Sequence, residues 1–194
     1  MNNLKLLNVG GNSKSIPLPS IYQGVVHHLL DIDPKGEPDV LCDARNLGEI
    51  KESEYDIIYC SHNLEHYYKH DVKKVLLGFK TALKPGGSIH LVVPNMMVVL
   101  REMIEKDMDI DDILYESSIG PIMISDVIYG YSKQIEQSGQ EFFAHKTGFS
   151  IKSLSRCVQN SGFVDIRVAQ EGYNIILIAF SSEKDYGMRE FYGI

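Results

Sequence analysis

"DIIYCSHNLEHYYKHDVKKVLLGFKTALKPGGSIHLVV", Asp56 to Val93, decides the fold. It opens and closes on unbroken apolar runs of strand length, Asp56–Cys60 and Ser88–Val93. A strand wet on one face alternates polar and apolar residues, whereas a continuous run marks a strand covered on both faces. Between the runs, Val72, Val75, Leu76, Phe79 and Leu83 fall on one helical stripe. "KPGG" (Lys84–Gly87) then stops the helix and turns the chain into the next strand. Strand, helix and strand at this length form the parallel crossover of an α/β sheet.

Further strands are expected on either side. Leu4–Val9, Val26–Ile32 and Asp39–Cys42 precede this unit, and Val164–Ala169 and Ile175–Phe180 follow it. Two connections are short. Pro17 and Pro19 break up the region where a first helix should lie, and only "DPKGEP" (Asp33–Pro38) joins the second strand to the third. The third strand is therefore either vestigial or reached by an unusual loop. From Met96 to Glu141 the strand signal disappears: "MVVLREMIEKDMDIDDILYE" and "DVIYGYSKQIEQSGQ" read as helices, interrupted at Ser117–Pro121. Residues 96–141 are expected to form a helical lid inserted within a single domain of residues 1–194. A last helix, "SIKSLSRCVQNSGF", has Ser150 as N-cap and Gly162 as stop. The tail "SSEKDYGMREFYGI" fits no element.

Composition narrows the function. Net charge is −7 and no Lys/Arg cluster occurs, so no nucleic-acid partner is expected. "NIILIAF" (Asn174–Phe180), among the longest apolar runs, is too short to span a bilayer, and the N-terminus lacks the features of a signal peptide. Cys42, Cys60 and Cys157 are odd in number and lack metal-ligand spacing. They read as reduced thiols of a cytoplasmic protein, monomeric or homodimeric, without a membrane partner.

A glycine pair follows the first strand in "LLNVGGNSKSIPLP" (Leu6–Pro19). The phosphate loop G-x-x-x-x-G-K-[ST] is absent, and so is G-x-G-x-x-G, because Gly10 and Gly11 run into Asn12, Ser13, Lys14 and Ser15. Other residues converge on the same sheet edge. Asp31 ends the second strand roughly twenty residues past the loop, the spacing at which a carboxylate meets a ribose diol. Asp43 ends the third strand, where an acid can accept from an adenine amino group, and Ser61-His62 end the fourth. Ligands of open α/β sheets bind outside these carboxyl ends.

The run "LLNVGGN … LLDIDP … DVLCDARNL … YDIIYCSHNLEHY … LKPGGSIHLVVPN" resembles the class I S-adenosylmethionine-dependent methyltransferases, in their type 11-like small-molecule branch. It covers about Leu4 to Asn95, and "FFAHKTGFSIKSLSRCVQNSGF" resembles the closing segment of that branch. The resemblance implies a doubly wound, Rossmann-like, mostly parallel sheet of about seven strands, the last antiparallel, with a helical insertion. It implies S-adenosylmethionine as cofactor, with S-adenosylhomocysteine as product. Gly10 and Gly11 would pass under its methionine part, Asp31 with Ile32 would bind the ribose, Asp43 with Ala44 the adenine, and Ser61 with His62 would lie near the methionine end. Asn8 stands where the family carries an acid, and Asn12 and Lys14 stand where it carries glycine.

The implied activity is methyl transfer to a small-molecule acceptor bearing a hydroxyl, amine or carboxylate, with sugar or lipid intermediates allowed by family analogy. A hydroxyl acceptor needs a base, and His145 and His66 are the candidates, since imidazole titrates near neutrality. Tyr67, Tyr68, Tyr129 and Tyr131 are candidates to line the acceptor pocket. His66 and His70 share a helical spacing, but no third ligand is evident and no metal is expected. Two other readings remain: a non-catalytic binding module with a degenerate loop, and a nicotinamide-dependent oxidoreductase, which would need the missing fingerprint.

Overall fold

The computed structural model describes residues 4–184 and 187–194, so Asp185 and Tyr186 of the unassigned tail lie outside the described residues. Seven strands form the main sheet: β1 (Lys5–Val9), β2 (Val26–Asp31), β3 (Val40–Leu41), β4 (Tyr55–Ser61), β5 (Leu83–Pro94), β8 (Val164–Glu171) and β9 (Asn174–Phe180). Their order is β3-β2-β1-β4-β5-β9-β8. The strands from β3 to β5 pair in parallel, while β9 runs antiparallel to both of its neighbours. This is the expected Rossmann-like sheet with its last strand reversed.

The decisive unit folds as read. Helix α2 (Lys69–Ala82) carries β4 back to β5, and Val72, Val75, Leu76 and Phe79 are buried beneath it. With α1 (Leu47–Ile50) and α6 (Ile151–Asn160), this helix covers one face of the sheet over Leu7, Val9, Ile58 and Leu91. Removing the ring of a fully buried phenylalanine such as Phe79 costs about 3–5 kcal/mol, transfer and cavity together. "KPGG" does more than turn. Strand β5 already begins at Leu83, which pairs with Tyr55, and the register slips before Ser88 pairs with Ile57, so the glycines form a bulge inside the strand.

The opposite face is thin. The proline-broken β1–β2 connection holds only a 3-10 turn, Ser20–Tyr22, and the β2–β3 link is another, Pro34–Gly36, which leaves β3 with two residues. Leu6, Ile57 and Phe180 on that face are covered instead by Tyr22 and by the tail, whose helix α7 (Met188–Tyr192) contributes Met188, Phe191 and Tyr192. The Tyr192 hydroxyl lies 3.2 Å from that of Tyr22 and 3.1 Å from Ser88 Oγ, and the Tyr22 hydroxyl meets His90 Nδ1 at 2.6 Å. Arg189 donates to Asp165 at 2.8 Å and ties α7 to β8.

The insertion differs from the all-helical expectation. Helix α3 (Met96–Glu105) stops where Asp107 turns to a positive φ of 52°, ahead of the aspartates at 109, 111 and 112. Residues read as the end of that helix instead form a hairpin, β6 (Ile113–Ser117) with β7 (Gly120–Met123). "SSIG" is its turn, with the Ser117 hydroxyl donating to Gly120 O. The second expected helix divides at Gly130, φ 99°, into α4 (Ile124–Tyr129) and α5 (Ser132–Ser138). Val99, Leu114, Ile122, Ile124 and Val127 make a separate small core there.

Candidate functional site

The carboxyl ends of β1, β2 and β4 meet around the glycine loop. Gly10 has a φ of +71°, and a Cβ there would stand 2.0 Å from Asn63 Nδ2, so only glycine lets the loop approach β4 this closely. Asn12 also adopts a left-handed φ, 60°, which asparagine tolerates better than most residues. Its backbone N–H donates to Asp31 Oδ2 at 2.9 Å, and Asp33 N–H donates to Asp31 Oδ1 at 2.9 Å. The Asp31 carboxylate is therefore fixed in rotamer, and its remaining lone pairs are available to a diol. Lys14, at another family glycine position, leaves the loop to pair with Asp39 at 2.6 Å.

Gly10, Asn12, Asp31, Ile32, Asp43 and His62 line one cleft of about 170 Å³. Asn8, Gly11, Ala44 and Ser61 are not on its wall. Asn8 is 5% exposed and lies beneath Gly11, where a Cβ would meet its side chain at 2.1 Å, so it supports the loop from below instead of facing a ligand. Ala44 is fully buried. Asp43 is on the wall but already engaged: it caps the turn Ala44–Asn46 through Arg45 N and holds the Arg45 guanidinium at 2.6 Å. Burial raises the Asp43 carboxyl, but Arg45 outweighs it and holds the group below its ordinary range. Arg45 is a wall residue that strand-end reasoning misses, because it follows the strand in a turn.

Asn12, His62, His66 and Phe143 stand between this cleft and a second cavity of about 720 Å³ beside the insertion, lining both. Tyr131 lines this cavity and Tyr67 and Tyr68 line the cleft, whereas Tyr129 is 61% exposed and lies on neither. Tyr115 and Tyr173, stacked at 5.3 Å between ring centres, take its place. Tyr115 belongs to the hairpin that the helical reading concealed.

Both candidate bases border the cavity, their rings 4.9 Å apart. His145 Nδ1 donates to Val127 O at 2.9 Å, and its backbone N–H donates to Tyr129 O, so α4 holds this residue twice. Behind them lies Glu65, 1% exposed, with His62 Nδ1 at 3.5 Å and His145 Nε2 at 4.0 Å from its Oε1. Burial pushes the Glu65 carboxyl up, but the imidazoles of His62, His66 and His145 outweigh it and bring it down. Burial lowers His145 despite Glu65, while for His62 the pull of Glu65 exceeds burial and raises it. Sequence reading passed over Glu65 because nothing local distinguishes it from a solvated turn acid.

Residues 22–91 match the model of a methyltransferase domain. No protein with a curated description matches the chain. Among solved structures it is similar to an S-adenosylmethionine-dependent methyltransferase from Archaeoglobus fulgidus, at 14% identity and a TM-score of 0.58, covering 91% of this chain and 86% of that one. A Thermotoga maritima methyltransferase gives 13%, 0.55, 92% and 82%. A possible exported protein from Bordetella parapertussis gives 16% and 0.55, covering 91% of this chain but only 62% of its own. At such identities the likeness establishes a shared fold.

Proposed function

We propose that this chain is a class I S-adenosylmethionine-dependent methyltransferase that transfers a methyl group from that cofactor to a small-molecule acceptor, a reading supported by its fold and by the match over residues 22–91. The observation that carries the reading is the shared wall of two spaces: a cleft lined by the Gly10 loop, Asp31 and Asp43 and a larger cavity bordered by His66 and His145 have Asn12, His62, His66 and Phe143 in common. The fit is supported by Asp31, which lines the cleft with its carboxylate held by the N–H groups of Asn12 and Asp33 and with further acceptor positions for a diol. When bound, the cofactor supplies an electrophilic methyl on a sulfonium. The chain's part is then to align the acceptor and exclude water. Insertion 96–141 acts as lid and selector within the single domain, with Tyr115, Tyr131 and Tyr173 facing the acceptor. For a hydroxyl acceptor, His66 and His145 stand where its proton must leave. The three thiols, none in a disulfide, accord with a cytoplasmic protein.

The test is calorimetric titration with S-adenosylhomocysteine, on the protein and on Asp31→Ala. Micromolar binding that falls at least tenfold in the variant is expected. No binding by folded wild-type protein would overturn the reading and leave a binding module with an altered loop.

A further inference from the structure

His66 and His145, joined by the buried Glu65, form a group whose arrangement exceeds what a proton acceptor needs. One ligand atom from each lies within 4.8 Å of the other two. No donor among the described residues makes a well-formed hydrogen bond to either Glu65 oxygen, the nearest being His62 Nδ1 at 3.5 Å from Oε1, although the side chain is almost wholly buried. An ionised carboxylate in that position without hydrogen bonds is costly unless a cation completes it. His145 sharpens the point. With Nδ1–H committed to Val127 O, the neutral ring turns the Nε2 lone pair toward Glu65 Oε1, so two acceptors face each other at 4.0 Å. A shared proton does not bridge that distance. Two bonds of about 2.0–2.2 Å each, as zinc makes to imidazole and carboxylate, do.

His66 shows the same preparation. Its Nδ1 lies 3.1 Å from Ala144 O and its Nε2 3.1 Å from His62 O. A neutral imidazole has one N–H and can serve only one of these carbonyls. With Nδ1–H on Ala144 O, the Nε2 lone pair faces the His62 carbonyl oxygen, an unfavourable pairing that a cation between them, or a turn of the ring toward Glu65, relieves. A ring N–H on a backbone carbonyl is the usual outer support of a metal-binding histidine, and here both rings have one. The two chain segments are also stitched together, since Lys146 and Thr147 N–H both donate to Glu65 O. A further void of about 10 Å³ touches Glu65 and His145, at the lower limit of what one water needs.

We propose that Glu65, His66 and His145 bind a divalent first-row cation of the zinc class, with an open coordination position toward the acceptor cavity. Two imidazoles and a carboxylate suit zinc better than magnesium or calcium, which take oxygen ligands. Ligands in a tetrahedral zinc site stand about 3.4 Å apart, so closure asks for side-chain shifts of roughly 1 Å. The sequence pairs His66 with His70 and finds no third ligand. Folding instead leaves the His70 side chain 79% exposed and brings in His145 from 79 positions away (145 − 66). The role of the cation rests on the methyl-transfer reading: it would hold an acceptor hydroxyl and acidify it. The proton passes to water, the oxygen keeps the electron pair that would form the new C–O bond, and the methyl–sulfur bond would break with its pair returning to sulfur, leaving S-adenosylhomocysteine.

The experiment is a zinc titration of the chelator-stripped full chain in competition with a chromophoric chelator, with Co²⁺ absorption reporting imidazole ligation. One Zn²⁺ per chain is expected, weakened at least tenfold by Glu65→Gln and by His145→Ala and unchanged by His70→Ala. Ring-nitrogen NMR of the wild-type protein should show His66 and His145 shifting on zinc addition, a readout that needs no variant to fold. Failure to bind one equivalent, binding retained by the double variant (an adventitious ion only), or ring nitrogens that do not move would each overturn the proposal. Titration with S-adenosylhomocysteine in the same samples fails separately if the methyl-transfer reading is wrong.

Discussion

Replacing Gly10 by alanine isolates the closeness of the loop to β4, provided it is compared with Gly172→Ala. Both glycines have left-handed φ, 71° and 54°, so alanine pays a similar backbone penalty at each, about 1–2 kcal/mol. At Gly172, in the turn between β8 and β9, no atom of the described residues lies within 4 Å of a new Cβ. At Gly10 the methyl would stand 2.0 Å from Asn63 Nδ2, 2.3 Å from its Cγ and 2.8 Å from its Cβ. The whole asparagine side chain must therefore move, not only its tip. Overpacking of this kind costs a further 1–3 kcal/mol or so. Urea midpoints should place Gly10→Ala below Gly172→Ala by that increment, or by roughly 2–10 °C in Tm for a chain of this size. Asn63 is itself on the cleft wall, so its displacement also enters the ligand space. S-adenosylhomocysteine affinity should fall at least tenfold in Gly10→Ala and stay unchanged in Gly172→Ala. Equal destabilisation of the two variants, with binding intact in both, would refute the close-approach argument.

Further outcomes follow from other contacts. Tyr192→Phe removes a hydroxyl that meets Tyr22 and Ser88 and should cost about 1 kcal/mol, read as a lower urea midpoint with an unchanged slope. Ser150→Ala removes the side-chain cap of α6, where Ser150 Oγ accepts from Ser153 N at 3.2 Å, and should cost ~1 kcal/mol by the same assay. Burial lowers His90 from 6.5 to about 4. Between those values the unfolded chain binds the extra proton, so stability rises with pH and is lost on acidification, by up to roughly 3 kcal/mol between pH 7 and pH 4. Denaturant titrations of His90→Gln should show a flatter acid limb than wild type, and an identical limb would exclude His90 as the source.

The parts of this molecule legible in the sequence are those in which local pattern and tertiary demand agree. Strands β4 and β5 and helix α2 satisfy both, because a doubly covered strand must be apolar throughout and the helix must present one stripe. Asp31 is legible because strand-end position and spacing are properties of the chain itself. The hairpin β6–β7 was hidden: "DILYESSIGPIM" is short, and its neighbours carry helical spacing. Glu65 and Arg45 were hidden for another reason. Their significance lies in partners brought by folding, His145 for one and the short return to Asp43 for the other. Asn8 shows the reverse case, a position that looks directed at a ligand until packing turns it under the loop.

The thin second face of the sheet has a consequence for how the chain is made. Leu6 and Ile57 are covered partly by Tyr22, close by in the chain, and partly by Met188 to Tyr192, which come more than a hundred positions after Ile57. The helical face gains α1 and α2 close in the chain to the strands they cover, whereas the other face has only Tyr22 and its neighbours until the insertion, β8 and β9 have been synthesised. A nascent chain therefore carries a partly covered apolar face from β4 until α7 has been made. Its dependence on holdase chaperones should fall when α7 docks.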